Sequence, residues 1–582
     1  MTEITRNVAD RALHRSLSRR SFFKGAAAAA GLAVVWKSPS MAQDATPAAG
    51  LPSASSLVDV YNPQPAIYFA EIPSDVDSYL SIDENGAVTL RVGLVEFGQG
   101  IRTGLAQLAA EELDTPFESV SLIMGQTDEV PFNIGTFGSL SIQLTGPIVR
   151  NAAAEMRSWL LDLGAEKLGG EPSELWTADG EVFVTADRTK SLGYGELAAG
   201  QASARTPGED VELKDPSTYT IVGQPLPRVD IAAKVDGTMK YGMDALLDGM
   251  IFAKIVRPPA LGATLLDIDF TPAEQVTGYI GSFRDGDFAA VVAERFEYAE
   301  AAVAAVVATW SEVTTGNTSE NIHELLKSTP DAGTPLDDES KAQAQGTPVA
   351  AIEPTATAQP LSLTFKDQYV NHAPIEPKNA LANVTADKAE IWASSQSPFA
   401  VRAAVAAQLG RPDESVTVHA LHPGGAFGSK IVPAAELAAA VLSNEFGRPV
   451  KLIYNRFEEF GYTQYRPAML VEVETGLAAD NSIAGWTWSG YTGGYYPETS
   501  ESVSGSASDW GANVQEIYNI PGAKTTLFHS QSPLPPYYWR VNGAATNALA
   551  REVTIDHLAG MAGGKPGGPR RQKMSGKKTR VA

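Results

Sequence analysis

The chain has 582 residues with 44% hydrophobic and 19% charged content, enough to bury several cores, so a multidomain globular protein is expected. A formal net charge of -23 and a pI near 4.8 exclude the broad phosphate neutralisation on which nucleic-acid affinity rests. The absence of cysteine excludes disulfides and any cysteine-ligated zinc or iron–sulfur centre on this chain, so an electron relay would have to sit on another.

Residues 1–42 read as an export signal. SRRSFFK carries the paired Arg19 and Arg20 of a twin-arginine signal, followed by an apolar run from Gly25 to Trp36 and the small-residue pattern Ser40-Met41-Ala42. The apolar run falls short of the roughly 18 residues that a membrane span needs. Residues 43–57 form a small-residue linker, and a first module is expected over 58–205. In it VTLRVGL, residues 88–94, alternates and is β-branched as a strand would be, and TGLAQLAAEELD has the 3.6 spacing of a helix.

A second module is expected over 217–313, with strands at 250–256 and 288–293 and an Ala-rich helix from about Tyr298 to Trp310, a pattern that suits a mixed sheet backed by helices. Residues 328–360, rich in Thr, Pro, Ala and Gln, read as a linker, and a third module of alternating strands and helices follows over 361–559. From Gly560 to Ala582 there are seven Lys or Arg and no Asp or Glu, which reads either as a solvated basic tail or as a slipped reading frame. His419 and His422 stand three apart near a strand end, a spacing read as coincidence rather than as a metal site.

Three glycine-rich loops each follow an expected strand. Glu96-Phe97-Gly98-Gln99-Gly100 precedes a helix whose N-terminal amides and partial positive charge suit a phosphate, although the same residues also suit a plain tight turn. Gly135-Thr136-Phe137-Gly138-Ser139-Leu140-Ser141 interleaves hydroxyls with glycines ahead of a helix from about Ile148, which suits phosphate oxygens or a helix-capping turn. Pro423-Gly424-Gly425-Ala426-Phe427-Gly428-Ser429-Lys430 leads into AAELAAAVLSNEF, a helix with Pro433 in its first turn and Gly447 as its stop.

Taken in order, VEFGQGIRTGLAQLAAEELD, GTFGSLSIQLTG, RVDIAAKVDGTMKYG, NHAPIEPKNALA, SSQSPFAVRAAVAAQLG, HPGGAFGSK and YYWRVNGAA resemble the xanthine dehydrogenase and aldehyde oxidase family, in the branch of the isoquinoline 1-oxidoreductase β-subunits. The resemblance implies an α+β multidomain fold, with molybdenum-cofactor-binding segments around an α/β hammerhead domain. It implies a molybdopterin cytosine dinucleotide held without covalent links, with molybdenum carried by the pterin and not by protein ligands. Gln99, Gly100, Thr136, Gly138, Ser139, Ser141, Gly425, Phe427 and Gly428 match cofactor contacts, and Gln396 and Arg540 match residues at the reacting centre. As bare residues, Phe427 equally suits a core position and Arg540 a surface cation.

The implied reaction is hydroxylation of an electron-poor carbon of an N-heteroaromatic or aldehyde with water as oxygen source and a glutamate as base. The two electrons leave through a small [2Fe-2S] partner subunit toward an acceptor such as a cytochrome c. Two departures stand out: Ala426 occupies a position where the family usually has glycine, and no closing carboxylate matches the family's base. Glu552 and Asp556 belong to the expected helix REVTIDHLA, which has a structural counterpart. The alternative is therefore an inactive, truncated homologue that retains at most cofactor or partner binding.

Overall fold

The computed structural model describes residues 70–208, 211–330, 334–335, 355–495 and 522–565, together with residues 53, 57, 518 and 520. The signal, nearly all of the 43–57 linker, most of the 328–360 linker and residues 566–582 of the basic tail lie outside the described residues. Mixed sheets backed by helices make it an α+β protein built as several layers. Among the described residues no helix is long and apolar enough to cross a membrane.

The first layer forms where expected. Leu80–Ile82 pairs antiparallel with Val88–Val92, which pairs parallel with Val120–Met124. A parallel pair needs a crossover, and the helix Ile101–Leu113 supplies it. Its Leu105, Ala109 and Leu113 meet Val149, Ala153 and Met156 of the long helix Gly146–Leu168, and alanine at both faces lets the two backbones come close. That second helix starts at Gly146 rather than near Ile148, after a π-helical turn over Ser141–Thr145, so Ser141 belongs to a helical turn rather than to an open loop.

The largest sheet among the described residues has seven strands, ordered Val416–Ala420, Ala389–Ala393, Asn379–Val384, Val450–Ile453, Ile251–Ile255, Phe288–Ala293 and Tyr279–Asp285. Strands of the 217–313 stretch and of the 361–559 stretch thus share one sheet, joined by the parallel pairing of Val450 with Ile251. Helices Pro398–Gln408 and Ala434–Phe446 contribute Val401, Val405, Leu437 and Ala438 to its core. The latter helix stops as read, with Gly447 at φ 60, while Pro433 is its N-cap residue rather than part of its first turn.

The expected helix from Tyr298 to Trp310 is corrected. The helix spans Phe296–Ala305, and Val307–Trp310 is a strand paired with Leu265–Asp269. Alanine carries the helix to residue 305, after which β-branched Val306, Val307 and Thr309 favour extended backbone and a neighbouring strand is available.

A further sheet runs Thr334–Pro335, Ala523–Gln531, Ile483–Tyr495, Met469–Leu477, Gln359–Asp367. The helix Ala544–Met561 packs Ala550, Ile555 and Leu558 against Trp486, Trp488 and Val471 of that sheet. This packing holds the preceding turn, residues 537–542, against the third glycine-rich loop.

Candidate functional site

Gln396 lies at the centre of the site. It follows the strand Ala389–Ala393 and precedes the helix Pro398–Gln408, a position that fixes its backbone between two rigid elements. Its Nε2 donates to the Thr136 carbonyl at 3.0 Å, and its Oε1 accepts from the Gly428 amide at 3.1 Å. The backbone joins in: Thr136 N–H donates to Gln396 O, and Gln396 N–H to Lys430 O, both at 2.8 Å. One buried carboxamide therefore ties the second loop to the third.

Thr136 extends the connection to the first loop, because its Oγ1 accepts from the Val95 amide at 2.8 Å. Phe427 and Gly428 extend it to the turn at 537–542. The Arg540 amide donates to Phe427 O at 3.1 Å, and the buried His372 ring lies between Tyr538 O at 2.6 Å and Gln464 O at 3.1 Å. Burial pushes the His372 imidazole down to about 4 against the pull of those carbonyls, so the neutral ring donates to one of them.

The backbone at the third loop is held in a costly conformation. Phe427 sits at φ 60 and is 46% exposed, so its ring is not a core residue. A bulky residue in the left-handed region costs roughly 1–3 kcal/mol and persists only where its surroundings enforce it. Gly428, at φ 116, is required: a Cβ there would lie 2.1 Å from Tyr538 O. Gly425, at φ 94, lies beside the Phe427 ring and Pro374. Ala426 is buried with an ordinary φ, so alanine fits at that position without strain.

The first loop closes on its own carboxylate. The amides of Gly98, Gly100 and Arg102 donate to the Glu96 carboxylate at 2.7, 2.9 and 3.0 Å. The helix N-terminus does attract an anion, but the protein's own carboxylate is that anion, and these amides do not await a phosphate. Gln99 braces the same turn, accepting from Phe97 N at 2.8 Å and donating to Val95 O at 3.2 Å, so the tight-turn description fits the loop's interior. Gly98, at φ 109 with open space around it, is the outward part. Gly138 at φ 63 and Ser139 at φ 59 are likewise exposed, on the shoulder leading to Ser141, whereas Arg540 is exposed as a surface cation would be.

Sequence reading missed the charges that hold these loops. Arg228 donates two hydrogen bonds to Asp230, at 2.9 and 2.7 Å, and a third to Gly98 O at 2.7 Å, pinning the RVD segment to the first loop. Arg228 and then Lys234 hold the Asp230 carboxyl far below the usual carboxylate range. Glu96, Asp230 and His422 bring ligand atoms within 4.8 Å of one another, but the cations on Asp230 and the amides on Glu96 already balance that charge. His419 stacks on Trp392 and faces Gln126, away from this group, so the two histidines do not act together.

Beneath the third loop, the buried Lys378 donates to Ser429 O and Val432 O, and burial holds its ammonium below the ordinary lysine value. Burial pushes the nearby Glu436 carboxyl up to about 7, with Lys378 and Lys430 pulling it back. A raised folded-state value means that this group's stabilisation is complete below about pH 4.5 and is lost as pH rises through 7. Glu436→Gln should therefore gain thermal stability relative to the parent between pH 5 and 8, by about 3 kcal/mol at the upper end. Melting curves across that range check it, and a constant offset would contradict the assignment.

The donor set at Gln396 is neutral: amides, carbonyls and hydroxyls. Ser397 Oγ is buried there without a hydrogen-bond partner, and a Cβ on the adjoining Gly135 would lie 2.5 Å from it. With no cluster of charged ligands among the described residues at the junction, these residues suit a neutral, heteroatom-rich group better than a bare cation. Two models described as molybdopterin cofactor-binding domain match the chain, over residues 60–245 and 337–573, and contain all three loops, Gln396 and Arg540.

A nicotinate dehydrogenase subunit of Pseudomonas putida is 29% identical over 84% of this chain and 42% of its own length. The membrane-bound aldehyde dehydrogenase [pyrroloquinoline-quinone] of Gluconacetobacter polyoxogenes is 28% identical over 70% of this chain and 55% of its own length. The beta subunit of isoquinoline 1-oxidoreductase from Brevundimonas diminuta is 25% identical over 83% of this chain and 68% of its own length. The chain thus spans about half the length of the first two. Matching both cofactor-binding models across the loops that Gln396 joins, the chain belongs to the molybdenum-binding subunits of the xanthine dehydrogenase family.

Proposed function

We propose that this chain carries the cofactor of a molybdenum hydroxylase, acting on an N-heteroaromatic or aldehyde substrate in the periplasm after twin-arginine export. The observation that carries the reading is the junction at Gln396, where three cofactor-domain loops meet around neutral donors. The proposed cofactor is a molybdopterin cytosine dinucleotide, with Gln99, Gly100, Gly138, Ser139 and Ser141 toward its pterin and nucleotide and Phe427, Gly428, Gln396 and Arg540 toward the reacting centre. When bound, the group supplies two-electron redox chemistry at molybdenum.

The chain's own part is positioning. Gln396 fixes the Gly428 amide, the strained Phe427 backbone keeps its ring at the surface of the site, and the Tyr538 turn closes the third loop. With no cysteine here, electrons pass to a separate small [2Fe-2S] subunit, and a cytochrome c is the proposed onward acceptor. A second reading, cofactor or partner binding without turnover, is favoured by the carboxylates hydrogen-bonded into the first and third loops. Glu96 is satisfied by three amides and Glu376 by Lys430, so neither is available as a general base.

The experiment is oxidation of N-heteroaromatics and aldehydes in ¹⁸O-labelled water by the chain co-purified with its iron–sulfur subunit. Label in the product supports the hydroxylase. Turnover that requires pyrroloquinoline quinone, or no turnover by a cofactor-loaded complex, would overturn it in favour of another cofactor or of binding alone.

A further inference from the structure

Glu376 stands at the crossing of four separate segments. Its Oε2 accepts from Ser394 Oγ at 2.6 Å, from the Gly424 amide at 2.8 Å and from Lys430 Nζ at 2.8 Å, and its Oε1 accepts from the Met243 amide at 2.8 Å. Its backbone N–H donates to Gly424 O at 3.0 Å. Lys430 Nζ also donates to Ser394 Oγ at 2.8 Å, while Lys430 O receives Gln396 N–H at 2.8 Å and Ser395 Oγ at 3.2 Å. Glu376 is 6% and Lys430 2% exposed, so the pair works with little screening by water.

Gly424 and Lys430 are the two ends of the third loop, and one carboxylate holds both. Between them lie Phe427 and Gly428, and the left-handed backbone of Phe427 persists only where its surroundings enforce it. Packing at the crossing is close enough to require glycine at two positions: a Cβ on Gly424 would lie 2.5 Å from Glu376 Cβ, and one on Gly242 would lie 2.6 Å from Ser394 Cβ. Burial alone would raise the Glu376 carboxyl, but Lys430, Ser394 and the Gly424 amide outweigh it and keep the group ionised.

We propose that the Glu376–Lys430 pair is a positioning brace, which sets the 424–430 loop and Gln396 in the arrangement that retains the pterin. It acts through Gln396 and Gly428 and touches neither substrate nor cofactor. Its link to pterin retention rests on the functional reading above.

The test compares Glu376→Gln, which takes from buried Lys430 the carboxylate hydrogen-bonded to it, with Glu376→Gln/Lys430→Met, which removes both charges of the pair. Buried pairs replaced together by neutral groups commonly recover stability, so the double variant separates folding from positioning. Each is studied as the full chain in complex with the iron–sulfur subunit, by melting, by pterin dissociation rate, and by hydrogen exchange of the 394–397 and 424–430 amides. The expected result is pterin release faster by about 10- to 100-fold in both variants, with faster exchange in both segments, although the double variant melts like the parent.

Pterin retention that returns to the parent value together with the melting point would overturn the brace, leaving the pair a purely structural one. Unchanged exchange in the two segments would overturn it as well. A parent complex that binds no pterin, yet shows the exchange difference, would sink the functional reading while sustaining the brace.

Discussion

Gly428→Ala should strip the protein of its pterin while leaving most of the fold intact. At φ 116, the added methyl would lie 2.1 Å from Tyr538 O and 3.2 Å from His372 Nε2, against backbone on one side and a buried ring on the other. Neither can yield cheaply, because Tyr538 O is bonded to His372 and the Arg540 amide is bonded to Phe427 O. The turn would have to move away from the third loop, at a cost of about 3 kcal/mol or more. A loss of that size in the bound arrangement corresponds to roughly a hundredfold in affinity. Gly461→Ala is the matched control, since its Cβ meets nothing within 4 Å and its φ is ordinary. Pterin content and melting point of the two variants check the prediction, and parental pterin content in Gly428→Ala would refute the packing of Tyr538 on the loop.

Gln396 is predicted to be nearly as sensitive, through hydrogen bonds rather than space. Gln396→Ala leaves the Thr136 carbonyl and the Gly428 amide without their side-chain partner in a buried place, at about 1–3 kcal/mol each. Gln396→Glu keeps an acceptor for Gly428 but loses the donor to Thr136, and it places a carboxylate where only neutral groups stand. Pterin affinity should therefore fall by about 10- to 100-fold in the alanine variant. In the glutamate variant it should respond to pH, recovering in part as the new carboxyl is protonated. Isothermal measurement of pterin release at two pH values distinguishes the variants. Parental, pH-independent affinity in the glutamate variant, with loss only in the alanine variant, would mean that Gln396 acts only through its bulk.

Much of the scaffold was legible because its signals are local. Alternating β-branched residues gave Val88–Val92, helical spacing gave Ile101–Leu113, and Gly447 ended the helix Ala434–Phe446 as a left-handed stop should. Misreading arose where local preference and tertiary pairing compete. The alanines before Val306 do form a helix, yet Val307–Trp310 leaves it because a partner strand at Leu265–Asp269 offers a ladder. The shared sheet was hidden for the same reason, since Val450 and Ile251 are far apart in the chain.

The site was legible as a set of loops and opaque as a mechanism of assembly. Glycines marked where backbone must turn sharply, and Gly428 shows that need in its contact with Tyr538. Glu96, just ahead of a helix, is a readable signal for an internal anion at that N-terminus, which neither the phosphate nor the tight-turn reading of the loop includes. Nothing in NHAPIEPKNALA announces that its glutamate meets Lys430, because burial and pairing of a charge are properties of the fold and not of a local pattern.

The most direct measurement is the molybdenum and cytosine nucleotide content of the purified chain, co-expressed with the proposed iron–sulfur subunit and cofactor maturation factors. Roughly one of each per chain is expected, both lost together in Gly428→Ala. Metal-free and nucleotide-free protein under those conditions would contradict a cofactor seat here, and the junction at Gln396 would then be only a structural crossing of loops.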